Sequence, residues 1–228
     1  MPLLNDIPAL VDEKAFRRAL RVPEAGDEAS GAAEILAAAV PLLKPRAYFR
    51  DAFVDGRDDG GVVIGGCAFR SRVLRAQLDS IERVFPFVIT VGGELEAAAS
   101  LQDDLLRQYA FEMIADLALD AAGAKLEAHI RRVFETGPLS AMSPGSLEDW
   151  PLEEQRPLFA LLGEAEAKLG VRLNDSLLMV PRKSVSGIFF ASEESFTSCR
   201  LCPRERCQGR RQPFDAAKRL AFGLEDKA

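Results

Sequence analysis

Apolar side chains recur along this chain at two spacings, three to four residues in some stretches and two in others, and those rhythms predict its elements. Phe16 and Leu20 lie four apart and predict a short helix over 12–20. Residues 21–31 are polar, with Pro23, Gly26 and Gly31, and read as a linker. Asp27 suits the N-cap of a second helix reaching about residue 43, with Ile35, Ala38, Ala39 and Leu42 as its apolar stripe and Pro45 as its stop.

Residues 48–54 alternate bulky apolar and polar positions, and glycines bracket Val62-Val63-Ile64, so two strands around a turn at 55–60 predict a hairpin. Val73, Leu74, Leu78 and Ile81 give a helix over 71–81; the β-branched and aromatic run at 84–91 gives a strand stopped by Gly92-Gly93. The longest helix is predicted over 101–134, on a stripe of Leu105, Tyr109, Met113, Leu117, Ala121, Ala124, Ile130 and Val133, with Gly123 marking a kink or a tight contact. Pro151 suits a first helical residue, Leu158, Leu161 and Leu162 supply a buried face up to Gly170, and 185–191 is the last strand. Paired strands among long helices, without a regular strand–helix–strand repeat, predict an α+β fold: a twisted antiparallel sheet with long flanking helices. The chain divides into an N-terminal helical segment (1–45), an α+β core (46–198) and a Cys- and Arg-rich, metal-binding tail (199–228).

Composition acts mainly by exclusion. With 228 residues, 48% of them apolar, the chain can bury a full core. A net charge of -6 argues against a nucleic-acid footprint, which needs clustered cations. The one basic stretch, 204–211, reads either as a solvated tail or as a docking surface. Glu34, Pro41, Lys44 and Arg46 interrupt the best apolar run, so no membrane span is expected. Residues 1–14 lack a basic start followed by an apolar stretch, so no secretory leader is expected. Four cysteines, three of them within nine positions, suit a reducing cytoplasm better than a disulfide framework.

Those three carry the strongest chemical signal. Cys199 and Cys202 have the spacing that brings two thiolates to one iron–sulfur cluster or zinc ion, and Cys207 can reach the same ion after the turn at Pro203. A fourth ligand is needed; Cys67 is available, though it also reads as a buried thiol. His129, the only histidine, sits among Lys125, Glu127 and Arg131 and reads as solvated, so a multi-histidine site is excluded. No Gly-x-Ser-x-Gly elbow and no nucleotide-loop glycine spacing is present, which argues against hydrolytic, NAD or ATP chemistry.

The order of Met142-Ser143-Pro144-Gly145-Ser146, Asp149-Trp150-Pro151-Leu152, Gly170-Val171-Arg172-Leu173-Asn174-Asp175-Ser176 and Lys183-Ser184-Val185-Ser186-Gly187 resembles the reactivation domain of cobalamin-dependent methionine synthase. That resemblance implies a domain that binds S-adenosylmethionine and presents it to cobalamin, rescuing the cob(II)alamin state by reduction and methylation. The family's ligand motif is Arg-x-x-Pro-Gly-Tyr; here it reads Ala141-Met142-Ser143-Pro144-Gly145-Ser146, without the arginine or the tyrosine. A lost arginine–carboxylate bond is worth about 1.5–3 kcal/mol, which weakens the ligand by roughly one or two orders of magnitude. Ser143, Pro144, Gly145 and Ser146 remain the candidate ligand turn. Asp120 and Glu135 fall, by spacing, on the family's acidic ligand positions, or are exposed helix carboxylates. The enzyme-fused domain lacks the three cysteines. With them, the resemblance implies a stand-alone, cytoplasmic accessory component that docks on a corrinoid protein or truncated methionine synthase, which supplies the cobalamin, and takes an electron from a redox partner. The alternative is an iron–sulfur or zinc redox or interaction protein on the same scaffold, without S-adenosylmethionine or cobalamin activity.

Overall fold

A computed structural model describes residues 3–193, 196–207 and 210–224. In chain order its elements are β1 (Leu3–Leu4), α1 (Glu13–Leu20), α2 (Asp27–Ala39), β2 (Arg46–Phe49), β3 (Ala52–Arg57), β4 (Gly61–Ile64), β5 (Cys67–Arg70), α3 (Arg72–Gln77) and β6 (Arg83–Thr90). There follow α4 (Glu94–Ser100), α5 (Leu105–Phe134), β7 (Leu139–Met142), α6 (Gln155–Leu162), α7 (Ala165–Leu169), β8 (Arg172–Leu173), β9 (Met179–Val180), β10 (Ser184–Ala191) and α8 (Ala216–Ala221). Eight strands form a sheet in the order β1-β2-β6-β3-β4-β5, with β10 pairing β6 and β7, while β8 and β9 pair apart. The result is the expected α+β fold with antiparallel pairing. No helix of the described residues is long and apolar enough to cross a membrane.

The chain forms two compact units, the first from Met1–Tyr48, Val88–His129 and Glu164–Val185. Its core gathers Phe16 of α1, Ala32 and Ala39 of α2, Leu95 and Ala99 of α4, and Ala110, Phe111, Ile114, Ala115 and Ala118 of α5. Asp12 caps α1, its carboxylate accepting from the N–H groups of Lys14 and Ala15 at 2.8 and 3.1 Å. Gly26, not Asp27, is the N-cap of α2; Asp27 is that helix's first residue, where a carboxylate favours the helix dipole. The linker reading therefore holds only as far as Gly26. The helix α4 had no counterpart in the sequence pattern, and α5 buries a row neighbouring the predicted one, leaving Leu105 and Tyr109 exposed.

Charge ties the entry of β10 to α4 and α5. Arg182 bonds Glu96 at 3.1 Å and also Glu112, and the Lys183 ammonium meets Asp116 at 2.6 Å and Glu112 at 2.8 Å. Burial works against ionisation of Glu112, but the hydrogen bond and charge of Lys183, joined by those of Arg182, hold its carboxyl below the ordinary value. The bonds from Glu96 and Glu112 raise Arg182 further.

The second unit comprises Phe49–Phe87, Ile130–Gly163 and Ser186–Ala228. The single strand expected at 48–54 is divided between β2 and β3. The β3–β4 hairpin forms as expected, and a second hairpin follows: Gly65 and Gly66, both at positive φ, turn the chain so that Ile64 pairs Cys67. Cys67 thus opens β5 rather than closing a strand. The end of α5 puts the Phe134 ring 6.2 Å from Phe49 and 4.8 Å from Phe85. Trp150, fully buried, lies edge-on to Phe69 at 6.3 Å. Leu158, Leu161 and Leu162 of α6 are buried as predicted. The helix expected to reach Gly170 breaks at Gly163 (φ 69°), and α7 continues beyond it.

The basic stretch read as solvated or docking is at the surface, with Arg204, Arg206 and Arg211 exposed and Arg210 half-buried, while the segments on either side of it pack into this unit. Phe196 and Leu201 are buried, and the Arg219 guanidinium, also buried, donates to the Leu201 carbonyl at 2.7 Å. Residues 208–209 of the basic stretch, and 194–195 and 225–228, lie outside the described residues.

Candidate functional site

In the second unit β7 feeds directly into the turn at Ser143, Pro144, Gly145 and Ser146. Gly145 adopts φ 81°, a conformation that favours glycine, and its N–H donates to the Trp150 carbonyl at 2.7 Å. The Ser143 carbonyl accepts twice, from the Ser146 N–H at 3.1 Å and from its hydroxyl at 2.6 Å. The turn's inner donors are therefore spent on the turn itself. Across from it, β10 pairs Ile188 with Met142, and a Cβ on Gly187 would lie 2.4 Å from the Met142 carbonyl oxygen. Gly187 is what lets β10 approach the turn.

Asp149 sits behind the turn. Its side chain is only 4% exposed. It accepts from the Ser71 hydroxyl at 2.5 Å and the Val73 N–H at 2.9 Å, while Ser71 itself caps Leu74. The carboxylate thus helps cap the N-terminus of α3 from a distant part of the chain, a structural role for the Asp-Trp-Pro stretch.

The cysteine loop lies beside the same turn. The Phe196 N–H donates to Ser140 Oγ of β7 at 2.8 Å, and the hydroxyls of Ser198 and Ser146 are 2.9 Å apart. Cys199 comes next in the chain. The Cys202 N–H approaches the Cys199 carbonyl at 3.4 Å, and the Arg211 N–H donates to Cys199 Sγ at 3.4 Å. Arg210 holds the loop closed: its guanidinium donates to the carbonyls of Cys199 at 3.0 Å, Cys202 at 3.3 Å and Arg204. Asp215 caps α8 and pairs Arg200 at 3.2 Å; the bond from Lys218 N–H, against a burial cost and aided by Arg200, lowers its carboxyl.

Cys199, Cys202, Cys207 and Cys67 are free thiols, Cys207 exposed and the others half-buried. Among the described residues, no three His, Cys, Asp or Glu side chains stand together as a ligand set for an ion. Asp120 is exposed on the part of α5 in the first unit. Glu135, in the second unit, is exposed just past the end of α5 at φ 53°. His129 is half-buried rather than solvated.

Residues 145–206 match the family model of the vitamin B12 dependent methionine synthase, activation domain. The match begins in the Pro-Gly turn and ends inside the cysteine loop. Among solved structures, the crystal structure of the MetH reactivation domain bound to AdoHcy aligns with a TM-score of 0.59 at 19% identity, covering 79% of this chain and 70% of that one. The fold is that of a methionine synthase reactivation domain. No curated protein sequence matches the chain.

The reactivation-domain fold allows one test of ligand chemistry in the residues themselves. At the Pro-Gly turn Ala141 stands in β7 and Ser146 follows Gly145, so no guanidinium is supplied there, and the inner N–H groups are already bonded. This donor set does not fit a clamp for an amino-acid carboxylate. What the sequence pattern missed was the Ser146–Ser198 contact, because a hydrogen bond across some fifty residues leaves no periodic or spacing signal.

Proposed function

We propose that this chain is a stand-alone reactivation-domain protein that docks on a separate corrinoid protein, or on a truncated methionine synthase, and supports the reductive reactivation of its cob(II)alamin. The reading is supported by one combination: the activation-domain match runs through the Pro-Gly turn into a cysteine loop hydrogen-bonded to that turn. S-adenosylmethionine is at most a weak ligand in this reading, for the missing arginine leaves its carboxylate without a cation at the turn.

Cys199, Cys202 and Cys207, with Cys67 as a fourth donor, would hold an iron–sulfur cluster or zinc only after drawing together, since among the described residues they do not stand as a ligand set; an iron–sulfur cluster when bound supplies one-electron transfer. Arg210 braces that loop, and the surrounding arginines offer a positive face to an acidic redox partner. Thiols kept free in this way suit a reducing cytoplasm.

Titration of a cob(II)alamin-loaded corrinoid protein with the anaerobically purified chain tests the reading. The expected outcome is co-elution and a change in the cobalamin spectrum, together with bound iron and sulfide, or zinc, that Cys202→Ser removes. No association and an unchanged spectrum would refute the docking function; a metal content indifferent to Cys202→Ser would remove the cysteines as ligands.

A further inference from the structure

The backbone that carries Cys199 and Cys202 is fastened at each residue. Ser198–Arg200 form a 3₁₀ turn, and three successive bonds to the third residue back run through it. The Arg200 N–H donates to the Thr197 carbonyl at 3.0 Å, that of Leu201 to Ser198 at 3.1 Å and that of Cys202 to Cys199 at 3.4 Å. The four carbonyls from Cys199 to Cys202 are each taken by a group further along the chain. Arg210 donates to those of Cys199 and Cys202, the Asp215 N–H to that of Arg200 at 2.8 Å, and the buried Arg219 guanidinium to that of Leu201 at 2.7 Å. Two half-buried free thiols thus stand at either end of a turn whose backbone is set.

Side chains three residues apart in a 3₁₀ turn eclipse one another, and three rises of about 2.0 Å put their Cα atoms about 6 Å apart. A disulfide spans roughly 4.4–6.8 Å between Cα atoms. Joining these two sulfurs therefore asks for side-chain rotation and leaves the backbone bonds in place. An ion asks for more, because Cys207 is exposed and, among the described residues, no three ligating side chains stand together. The folded segment is prepared for a two-sulfur reaction.

We infer that Cys199 and Cys202 are a dithiol that exchanges with low-molecular-weight disulfides, of which glutathione disulfide is the probe. The sulfur of one cysteine attacks the probe and breaks its S–S bond; one glutathione leaves with the thiol proton, and a protein–glutathione disulfide remains. The second cysteine attacks its neighbour's sulfur, the mixed disulfide breaks, and the other glutathione leaves with the second proton. Two protein thiols are oxidised to one disulfide, and one small disulfide is reduced to two thiols. This reaction needs neither a corrinoid nor a metal and goes beyond the docking function proposed above. It also controls metal uptake, because the sulfur of a disulfide is no longer a thiolate ligand.

The test uses the full chain, stripped of metal by a chelator, reduced, treated with glutathione disulfide, alkylated and mapped by mass spectrometry. Cys199 and Cys202 should lose their thiols without either retaining glutathione, and trypsin, cutting after Arg200, should leave their peptides joined. Excess reduced glutathione should restore both thiols. Cys67→Ser and Cys207→Ser should leave the pairing intact, whereas Cys199→Ser and Cys202→Ser should each keep one glutathione on the remaining cysteine of the pair. A lasting glutathione adduct on the wild-type pair, a disulfide to Cys207 in its place, or a pair that stays unreacted would overturn the inference. The corrinoid titration is read separately, so either conclusion can fail without the other.

Discussion

Gly187 and Asp149 each do work that depends on a partner far along the chain. A Cβ at 187 would press on the Met142 carbonyl oxygen at 2.4 Å and Ser143 Oγ at 2.8 Å. The first is strand backbone and cannot swing aside. Gly187→Ala should therefore destabilise the protein by about 1–3 kcal/mol, as overpacking does, measured as a lower urea midpoint with an unchanged slope; a wild-type midpoint would show that β10 and β7 yield more easily than their register implies. The sequence identified this glycine only as part of a resemblance, since its reason lies in the pairing of Ile188 with Met142. Asp149 was likewise recognised only within an Asp-Trp-Pro stretch. Its bonds to Ser71 and Val73 close the end of a helix more than seventy residues away, and nothing local announces such a cap.

At the scale of elements, strands with strong β-branched or aromatic runs were the easiest to read, and β6 and β10 lie within a residue of their expected bounds. The second hairpin escapes the pattern because its signal, Gly65-Gly66, also reads as the end of a strand. The helix α5 is legible, and its buried face coincides with the predicted one at Ile130 but not at Leu105, Tyr109 or Val133. Alanines occur on several of its faces, so two adjacent rows compete: Met113 and Leu117 are partly buried against the core, while Ala110, Phe111, Ile114, Ala115 and Ala118 form it. Gly123 neither breaks that helix nor is demanded by space, since a Cβ there would meet Ile89 Cδ1 at 3.7 Å, an ordinary contact. Gly123→Ala should accordingly stabilise the chain by up to about 1 kcal/mol, read as a higher urea midpoint. A fall would mean that the apparent room at Ile89 is lost when the methyl is added.

For the molecule as a whole, the α+β class was legible because class depends on the succession of rhythms, whereas the grouping of turn and cysteine loop depends on tertiary contacts. Acid response belongs to this scale too. Glu112 has a folded-state pKa below its ordinary 4.5, so its contribution is fully present above the ordinary carboxylate range and is lost as pH falls through the lowered value. Stability should thus decline on acidification below about pH 4.5, and Glu112→Gln should flatten part of that decline in urea titrations at successive pH values. A variant whose pH profile parallels the wild type would assign the acid response elsewhere. Arg182, raised by its carboxylate partners, keeps its charge through that range, so the loss falls on Glu112.

Arg210 gives the cysteine loop a further property. Metal knuckles commonly take their shape from the ion they bind and lose it when the ion leaves. Here a guanidinium gathers the carbonyls of Cys199, Cys202 and Arg204, so an organic cation fastens the loop from within. The shape it fixes is one in which the three thiols do not stand together, so drawing them onto one ion would have to be done against those bonds.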